Sequence, residues 1–156
     1  MRVSVLAAAA VVSVVGAGVA YAALPKDKAL AIMHSRHEGM EKIGDTNKLL
    51  RRELTSSAPF APAVKSGAAT IFDLSKRASG WFPAGTGPEM GNTGAKPEIW
   101  QNQKDFQVKL RNFQAAAAAF NATAAAGDLN AAKARYSDLN GTCKACHDTY
   151  RMEMHH

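Results

Sequence analysis

The chain has 156 residues and a formal net charge of +6, from 19 lysines and arginines against 13 aspartates and glutamates. The basic residues are dispersed and no nucleic-acid-binding motif is present, so we expect no nucleic-acid partner. A moderately basic surface favours acidic protein partners instead. Alanine is abundant and no region alternates regularly between apolar and polar residues, which predicts an all-α protein.

The N-terminus has the features of an export signal. Arg2 provides a basic start, residues 3–20 are mostly apolar, and Ala20-Tyr21-Ala22 forms the small-x-small pattern at which signal peptidase cuts. A membrane anchor is the alternative, because the apolar stretch approaches the roughly 20 residues that a helical span requires. The glycines and the cleavage pattern favour a signal peptide over residues 1–22. We therefore predict a periplasmic, single-domain mature protein over residues 23–156, with no stable membrane insertion.

Four segments place apolar residues three and four positions apart, which is the spacing of one helix face. The first covers residues 33–54, and Arg36 and Asn47 interrupt its apolar stripe. Polar residues in such a stripe indicate either a ligand-facing position or a partly exposed helix edge. The other three segments have more regular stripes and cover residues 60–81, 99–120 and 129–150.

The connections between these segments predict the topology. Residues 56–59 end in a proline, which stops the first helix. Residues 83–97 are rich in glycine and proline and form a long crossover loop. Gly127-Asp128 is a tight connection, in which Asp128 caps the last helix. The simplest arrangement is an antiparallel up-down-up-down four-helix bundle.

The last predicted helix contains a C-x-x-C-H motif, Cys143-Lys144-Ala145-Cys146-His147, which includes both cysteines of the chain. Two thiols at this spacing can add to the two vinyl groups of one haem, and the adjoining histidine can coordinate the iron. A C-x-x-C pair alone is also compatible with a redox dithiol, half a zinc site or a disulfide. A redox dithiol requires a helix N-terminus that lowers a thiol pKa. The histidine and the export signal favour one covalently attached haem c with His147 as the proximal ligand.

With these motifs the chain resembles the class II c-type cytochromes, which include cytochrome c′ and the low-spin cytochrome c-556 type. The resemblance covers the whole mature region. It rests on three stretches: Cys143-Lys144-Ala145-Cys146-His147-Asp148-Thr149-Tyr150-Arg151, Trp81-Phe82-Pro83-Ala84-Gly85-Thr86-Gly87 and Ala95-Lys96-Pro97-Glu98-Ile99-Trp100. It implies a cytochrome c′-like four-helix bundle that holds one covalent haem c.

The resemblance also implies that a residue early in the first helix faces the sixth coordination position of the iron. Counting from the predicted mature N-terminus assigns this position to Met33, with Met40 as the alternative. Many members of the family carry an arginine four residues earlier, near a haem propionate. Here that place is Ala29, so Arg36 or Lys28 would have to replace the arginine.

Two functions follow from the two states of this position. A bound methionine implies a periplasmic electron carrier with iron ligated by His147 and Met33, because thioether ligation favours ferrous iron. Without that bond, the resemblance implies a five-coordinate cytochrome c′ that binds nitric oxide or carbon monoxide, with Ile32, Met33 and Met40 lining the pocket. The sequence shows no acid–base pair or nucleophile beside the haem motif, so we predict no enzymatic activity.

The remaining candidates are peripheral. Arg151, four residues after His147, is predicted to support the rim of the haem pocket. His34 and His37 are either alternative axial ligands or surface residues of the first helix. The expected partners are periplasmic redox proteins. Homodimers occur in the family through the first two helices, which leaves both a monomer and a homodimer open here.

Overall fold

A computed structural model describes residues 24–153, and most of them are helical. Within these residues the only β-type pairing is an isolated antiparallel bridge between Ala95 and Arg151, which confirms the all-α prediction. The predicted signal peptide lies outside the described residues. None of the described helices is long and apolar enough to cross a membrane. The helices are α1 (Lys26–Thr55), α2 (Ala61–Arg77), α3 (Glu98–Gln101), α4 (Gln103–Ala125) and α5 (Leu129–Tyr150).

The four long helices form the predicted bundle. α1 packs against α2, α2 against α4, and α4 against α5. α1 and α5 pack less closely than these three pairs. The apolar stripes meet inside the bundle, where the largest fully buried apolar side chains are Phe120, Leu50, Ile71, Ile99, Leu139 and Val64.

Three helices differ from their predicted extents. α1 begins at Lys26, seven residues before the predicted segment that starts at residue 33. The predicted helix 99–120 is split at Asn102, whose backbone has φ −115° and ψ 48°, into the single turn α3 and the long α4. Asparagine is a poor residue for a helix interior because its amide competes for backbone hydrogen bonds. α2 ends at Arg77, and a 3-10 turn over Ala78–Gly80 replaces its predicted last turn. An apolar stripe does not reveal such local breaks, since it continues across them.

The predicted end of α4 and start of α5 are confirmed. Gly127 has φ 79°, the left-handed conformation that glycine adopts without strain at a helix end. The carboxylate of Asp128 accepts a hydrogen bond of 2.9 Å from the backbone N–H of Ala131. Together they allow the tight turn between two antiparallel helices.

In the structure the crossover loop covers residues 81–97, and Arg36 of α1 holds its first part. Its guanidinium donates to the carbonyl oxygens of Trp81 (3.1 Å) and Thr86 (2.9 Å), and to the hydroxyls of Thr86 (3.3 Å) and Thr93 (3.0 Å). The side chain is only 4% exposed and lies over the ring of Phe82, with Cζ 5.2 Å from the ring centroid. Arg36 therefore interrupts the apolar stripe of α1 as a buried anchor of the loop, and not as part of an exposed helix edge.

The other end of the crossover loop is attached to the end of α5. The N–H of Lys96 donates to the carbonyl of Tyr150 (2.9 Å), and the N–H of Met152 donates to the carbonyl of Gly94 (2.8 Å). The loop therefore connects α1 to the helix that carries the C-x-x-C-H motif.

Candidate haem site between the first and last helices

Cys143, Cys146 and His147 line one side of a cavity of about 70 Å³ inside the bundle. Both cysteines are half-buried and unpaired. The other walls come from α1, α4 and the crossover loop, through Met40, Ile43, Phe82, Phe106, Lys109, Leu110, Phe113 and, from α5 itself, Thr142. This set combines two thiols, an imidazole and a thioether with mainly apolar walls, which fits a covalently attached haem.

The structure brings Met40, and not Met33, to this cavity. The side-chain amide of Asn47 in α1 donates to the amide oxygen of Asn140 in α5. This hydrogen bond fixes the axial register of α1 relative to α5. Counting seven residues back along α1 leads to Met40, and seven residues forward along the antiparallel α5 leads to His147. Met33 lies two further helical turns away, about 10 Å along the helix axis.

Met33 packs instead against the crossover loop. It is 7% exposed, and its Cε would stand 3.6 Å from a Cβ built on Gly91. The distal ligand stays a prediction, and the cavity lining favours the alternative, Met40, over Met33. The count from residue 23 does not take the register of α1 against α5 into account.

The distal candidate also decides where the arginine of the family pattern is expected. With Met40 as that candidate, the residue four positions earlier is Arg36. Ala29, which the Met33 assignment placed there, is fully buried. The described contacts of Arg36 are to the crossover loop and to the rings of Phe82 and Trp100.

The two thiols have an environment that keeps them protonated. Burial raises the pKa of Cys143, and the neighbouring Cys146 raises it further. Burial also raises the pKa of Cys146, although Lys109 opposes this effect. A redox dithiol requires the opposite shift, so the thiols are not arranged as an activated nucleophile.

His147 has an environment that favours the neutral imidazole. It is exposed overall, yet desolvation by its surroundings lowers its pKa, and the charge of Arg151 lowers it further. A neutral imidazole has a free lone pair for a metal ion. Arg151 is exposed and is not among the residues that line the cavity, and its backbone N–H donates to the carbonyl of His147 at 3.0 Å. Its support of the pocket rim stays a prediction.

The other histidine candidates are not brought to the cavity. His34 and His37 lie on the exposed face of α1, where each pairs with a glutamate one turn later, at 3.2 Å and 3.4 Å. Ile32, predicted to line a gas pocket, is also not among the cavity residues, and it lies near Trp81 on the α2 side.

Two features of the site were not predicted from the sequence. Lys109 lies on the cavity wall and is 3.8 Å from Asp105. Asp105 also accepts a hydrogen bond of 2.7 Å from the hydroxyl of Tyr150. Lys109 follows Phe106 by three residues, so its place beside the apolar stripe was a usable signal. The pairing of Asp105 with Tyr150 joins two helices and has no local sequence signal.

A four-helix bundle with a C-x-x-C-H motif in its last helix defines a class II c-type cytochrome. The sequence model of a family described as Cytochrome C' matches residues 31–151. The chain belongs to this family, whose members bind covalently attached haem c.

The similar proteins carry two names. Over 95 residues the chain is 39% identical to a cytochrome c' of Alcaligenes xylosoxydans xylosoxydans, which covers 60% of this chain and 72% of that protein. Over 154 residues it is 31% identical to a cytochrome c-556 of Agrobacterium fabrum, which covers 98% of both.

Solved structures show the same fold. The crystal structure of cytochrome c' from Thermochromatium tepidum has a TM-score of 0.74 at 27% identity and covers 85% of this chain and all of that one. A ferrous cytochrome c prime variant from Alcaligenes xylosoxidans with bound NO has a TM-score of 0.73 at 27% identity. It covers 81% of this chain and 97% of that one.

The predictions of family, fold and cofactor are thus confirmed. Of the two predicted functions, the relatives named cytochrome c' support the gas-binding alternative better than the electron carrier. The cytochrome c-556 relative supports the electron carrier.

Proposed function

We propose that the protein is an exported, single-haem electron carrier in which His147 and Met40 would both ligate the haem iron. The observation that carries this proposal is the position of Met40. Its thioether lines the same cavity as His147 and both cysteines, at the matching level of the facing helix. A haem, when bound, supplies a one-electron iron couple and up to two axial coordination positions.

The residues of the chain would attach and tune the cofactor. The thiols of Cys143 and Cys146 would each add across one vinyl group, with sulfur bonding to one vinyl carbon and the hydrogen going to the other, so that no oxidant would be consumed. A thioether ligand from Met40 would stabilise ferrous relative to ferric iron and raise the reduction potential. The apolar walls formed by Ile43 and Phe106 exclude water, which keeps solvent reorganisation small during electron transfer.

The second candidate is a haem protein that binds nitric oxide or carbon monoxide. The observation that favours it is the NO-bound cytochrome c prime among the structural neighbours. In this candidate Met40 lines an apolar distal pocket without a bond to iron, since polarity and steric access set which ligand enters.

Optical spectra of purified wild-type protein, Met40→Ala and Met33→Ala separate the two candidates. We expect a sulfur-to-iron charge-transfer band in the oxidised wild type, loss of this band with a high-spin spectrum in Met40→Ala, and an unchanged band in Met33→Ala. Met33→Ala is the matched control because it removes the same side chain from the same helix. A high-spin wild type that Met40→Ala does not alter would refute the electron carrier.

Carbon monoxide binding to the reduced proteins gives an independent test. With Met40 bound, wild-type association is limited by loss of the methionine, and Met40→Ala binds much faster. Fast association in the wild type, at the rate of Met40→Ala, would establish the gas-binding candidate instead.

Location and partners are part of the same proposal. A periplasmic location rests on the signal peptide predicted over residues 1–22, and periplasmic redox proteins are the expected electron donors and acceptors. One structural neighbour is a cytochrome c' with ligand-controlled dimer dissociation. Whether this chain forms a homodimer is decided by light scattering of the haem-loaded protein.

A further inference from the structure

A small polar cluster joins α1 to α5 beside the proposed haem site. The side-chain amide of Asn47 donates to the amide oxygen of Asn140 at 2.9 Å. The hydroxyl of Tyr136 donates to the backbone carbonyl of Asn47, also at 2.9 Å. The amide of Asn140 donates in turn to the carbonyl of Tyr136 at 2.8 Å. We call Asn47, Tyr136 and Asn140 the amide clamp.

The amide clamp is the direct hydrogen-bonded link between α1 and α5 in the described part of the chain. Asn47 and Asn140 are half-buried and Tyr136 is 9% exposed, so these groups are partly shielded from water. Buried polar groups are costly when unpaired, which makes this register of the two helices strongly preferred. Apolar contacts alone do not select a register so narrowly, and α1 and α5 have fewer close contacts than the other neighbouring helices.

The clamp has the same offset from both proposed axial residues. Asn47 follows Met40 by seven residues on α1, and Asn140 precedes His147 by seven residues on α5. Seven residues are close to two helical turns, so clamp and axial residue lie on the same face of each helix, about 10 Å apart. On the other side of Met40, one turn earlier, Arg36 holds α1 to the crossover loop. Polar contacts therefore hold α1 on both sides of Met40, at Arg36 and at Asn47.

We infer that the amide clamp is a positioning device that sets the spacing between α1 and α5 and so determines whether Met40 reaches the iron. This inference rests on the proposed function. Since each helix is stiff over two turns, a change of spacing or register at the clamp shifts Met40 relative to His147. The clamp acts through Met40 and does not touch the cofactor itself.

The test compares Asn140→Ala and Asn47→Ala with a matched control, Gln114→Ala. Gln114 forms an equivalent amide link elsewhere in the bundle, from α4 to the carbonyl of Ser75 (3.0 Å) and the hydroxyl of Ser79 (2.8 Å). We expect all three variants to lower the thermal midpoint. Only the clamp variants should weaken the sulfur-to-iron band and raise the rate of carbon monoxide association. We expect this rate to rise about tenfold, which corresponds to the free energy of one or two lost hydrogen bonds.

Tyr136→Phe is the milder clamp variant and keeps the ring packed if the asparagine variants fail to fold. It should change the band and the association rate in the same direction by a smaller factor. The inference is overturned if the asparagine variants that fold leave the band and the association rate at wild-type values. If neither asparagine variant folds, the same result for Tyr136→Phe overturns it. It is also overturned if Gln114→Ala changes the band and the rate as much as the clamp variants do. Met40→Ala distinguishes a failure of the clamp inference from a failure of the proposed function. The assignment of Met40 as an axial ligand is wrong only if Met40→Ala leaves the band and the association rate unchanged.

Discussion

At the scale of single residues, Gly39 shows how closely α1 and the crossover loop approach each other beside the proposed axial methionine. A Cβ built on Gly39 would overlap the six-membered ring of Trp81. Trp81 is 4% exposed, and its carbonyl accepts a hydrogen bond from Arg36, so the ring has little freedom to move away. Glycine at this position is required for packing and not for an unusual backbone conformation.

We therefore predict that Gly39→Ala lowers the free energy of unfolding by about 1–3 kcal/mol, the range for overpacking a well-packed core. Gly44→Ala is the matched control, because Gly44 lies on the same helix with no atom within 4 Å of an added Cβ. It should stabilise the protein by up to about 1 kcal/mol through helix propensity. Denaturant unfolding of the haem-loaded proteins measures both, and equal effects of the two substitutions would disprove the packing role of Gly39.

The choice between Met33 and Met40 shows where a single sequence stops being informative about residues. The two methionines lie seven positions apart, so helical periodicity places both on one face and gives no reason to prefer either. The distinction depends on the level of α1 relative to α5, which the contacts of Asn47 with Tyr136 and Asn140 set over about ninety positions of sequence. Cys143, Cys146 and His147 needed no such information, because their chemistry is local to one motif.

At the scale of elements, the end of α5 is held by its neighbours on two sides. Its last residue, Tyr150, is 3% exposed and donates to Asp105 of α4 at 2.7 Å, while its carbonyl accepts from Lys96 of the crossover loop. The sequence predicted the extent of α5, since its apolar stripe ends at the same tyrosine. The break at Asn102 was not predicted, because a single unfavourable residue leaves the stripe intact on both sides.

The phenol of Tyr150 makes the stability of this junction depend on pH. Burial, together with the hydrogen bond to Asp105, raises the pKa of Tyr150 to about 12, against an ordinary value of about 10. A folded-state pKa above the unfolded one means that the contribution of this group is complete below pH 10 and is lost as the pH rises towards 12.

Tyr150→Phe should accordingly lower the free energy of unfolding by about 1 kcal/mol near pH 8, the usual net value of one hydrogen bond. The difference between wild type and variant should shrink above pH 10. Urea unfolding between pH 7 and pH 11 measures it, and a difference that stays constant over this range would contradict the proposed role of the phenol. Asp105 is exposed, so the substitution leaves no buried carboxylate unpaired.

At the scale of the whole molecule, the helices of the bundle are joined unequally. Three pairs of helices pack closely, but α1 and α5 are joined mainly through the amide clamp and through the crossover loop. The apolar side chains that face the cavity, such as Phe106 and Phe113, belong to the same core as the rest of the bundle. A haem bound to Cys143 and Cys146 would complete this core as well as supply the chemistry.

We therefore predict that the double variant Cys143→Ala and Cys146→Ala does not form a stable apo-bundle. Large-to-small changes in a core cost a few kcal/mol each, and the loss of a whole haem removes far more contacts than any of them. Since the total stability of a domain is only about 5–15 kcal/mol, the variant should be unfolded or a molten globule that keeps helical circular dichroism but lacks fixed aromatic signals. The matched control is Lys144→Ala with Asp148→Ala, which removes an exposed ion pair on the same turns of α5 and should cost less than about 1 kcal/mol. A cooperative thermal transition of the haem-free variant close to that of this control would show that the haem is not part of the structural core.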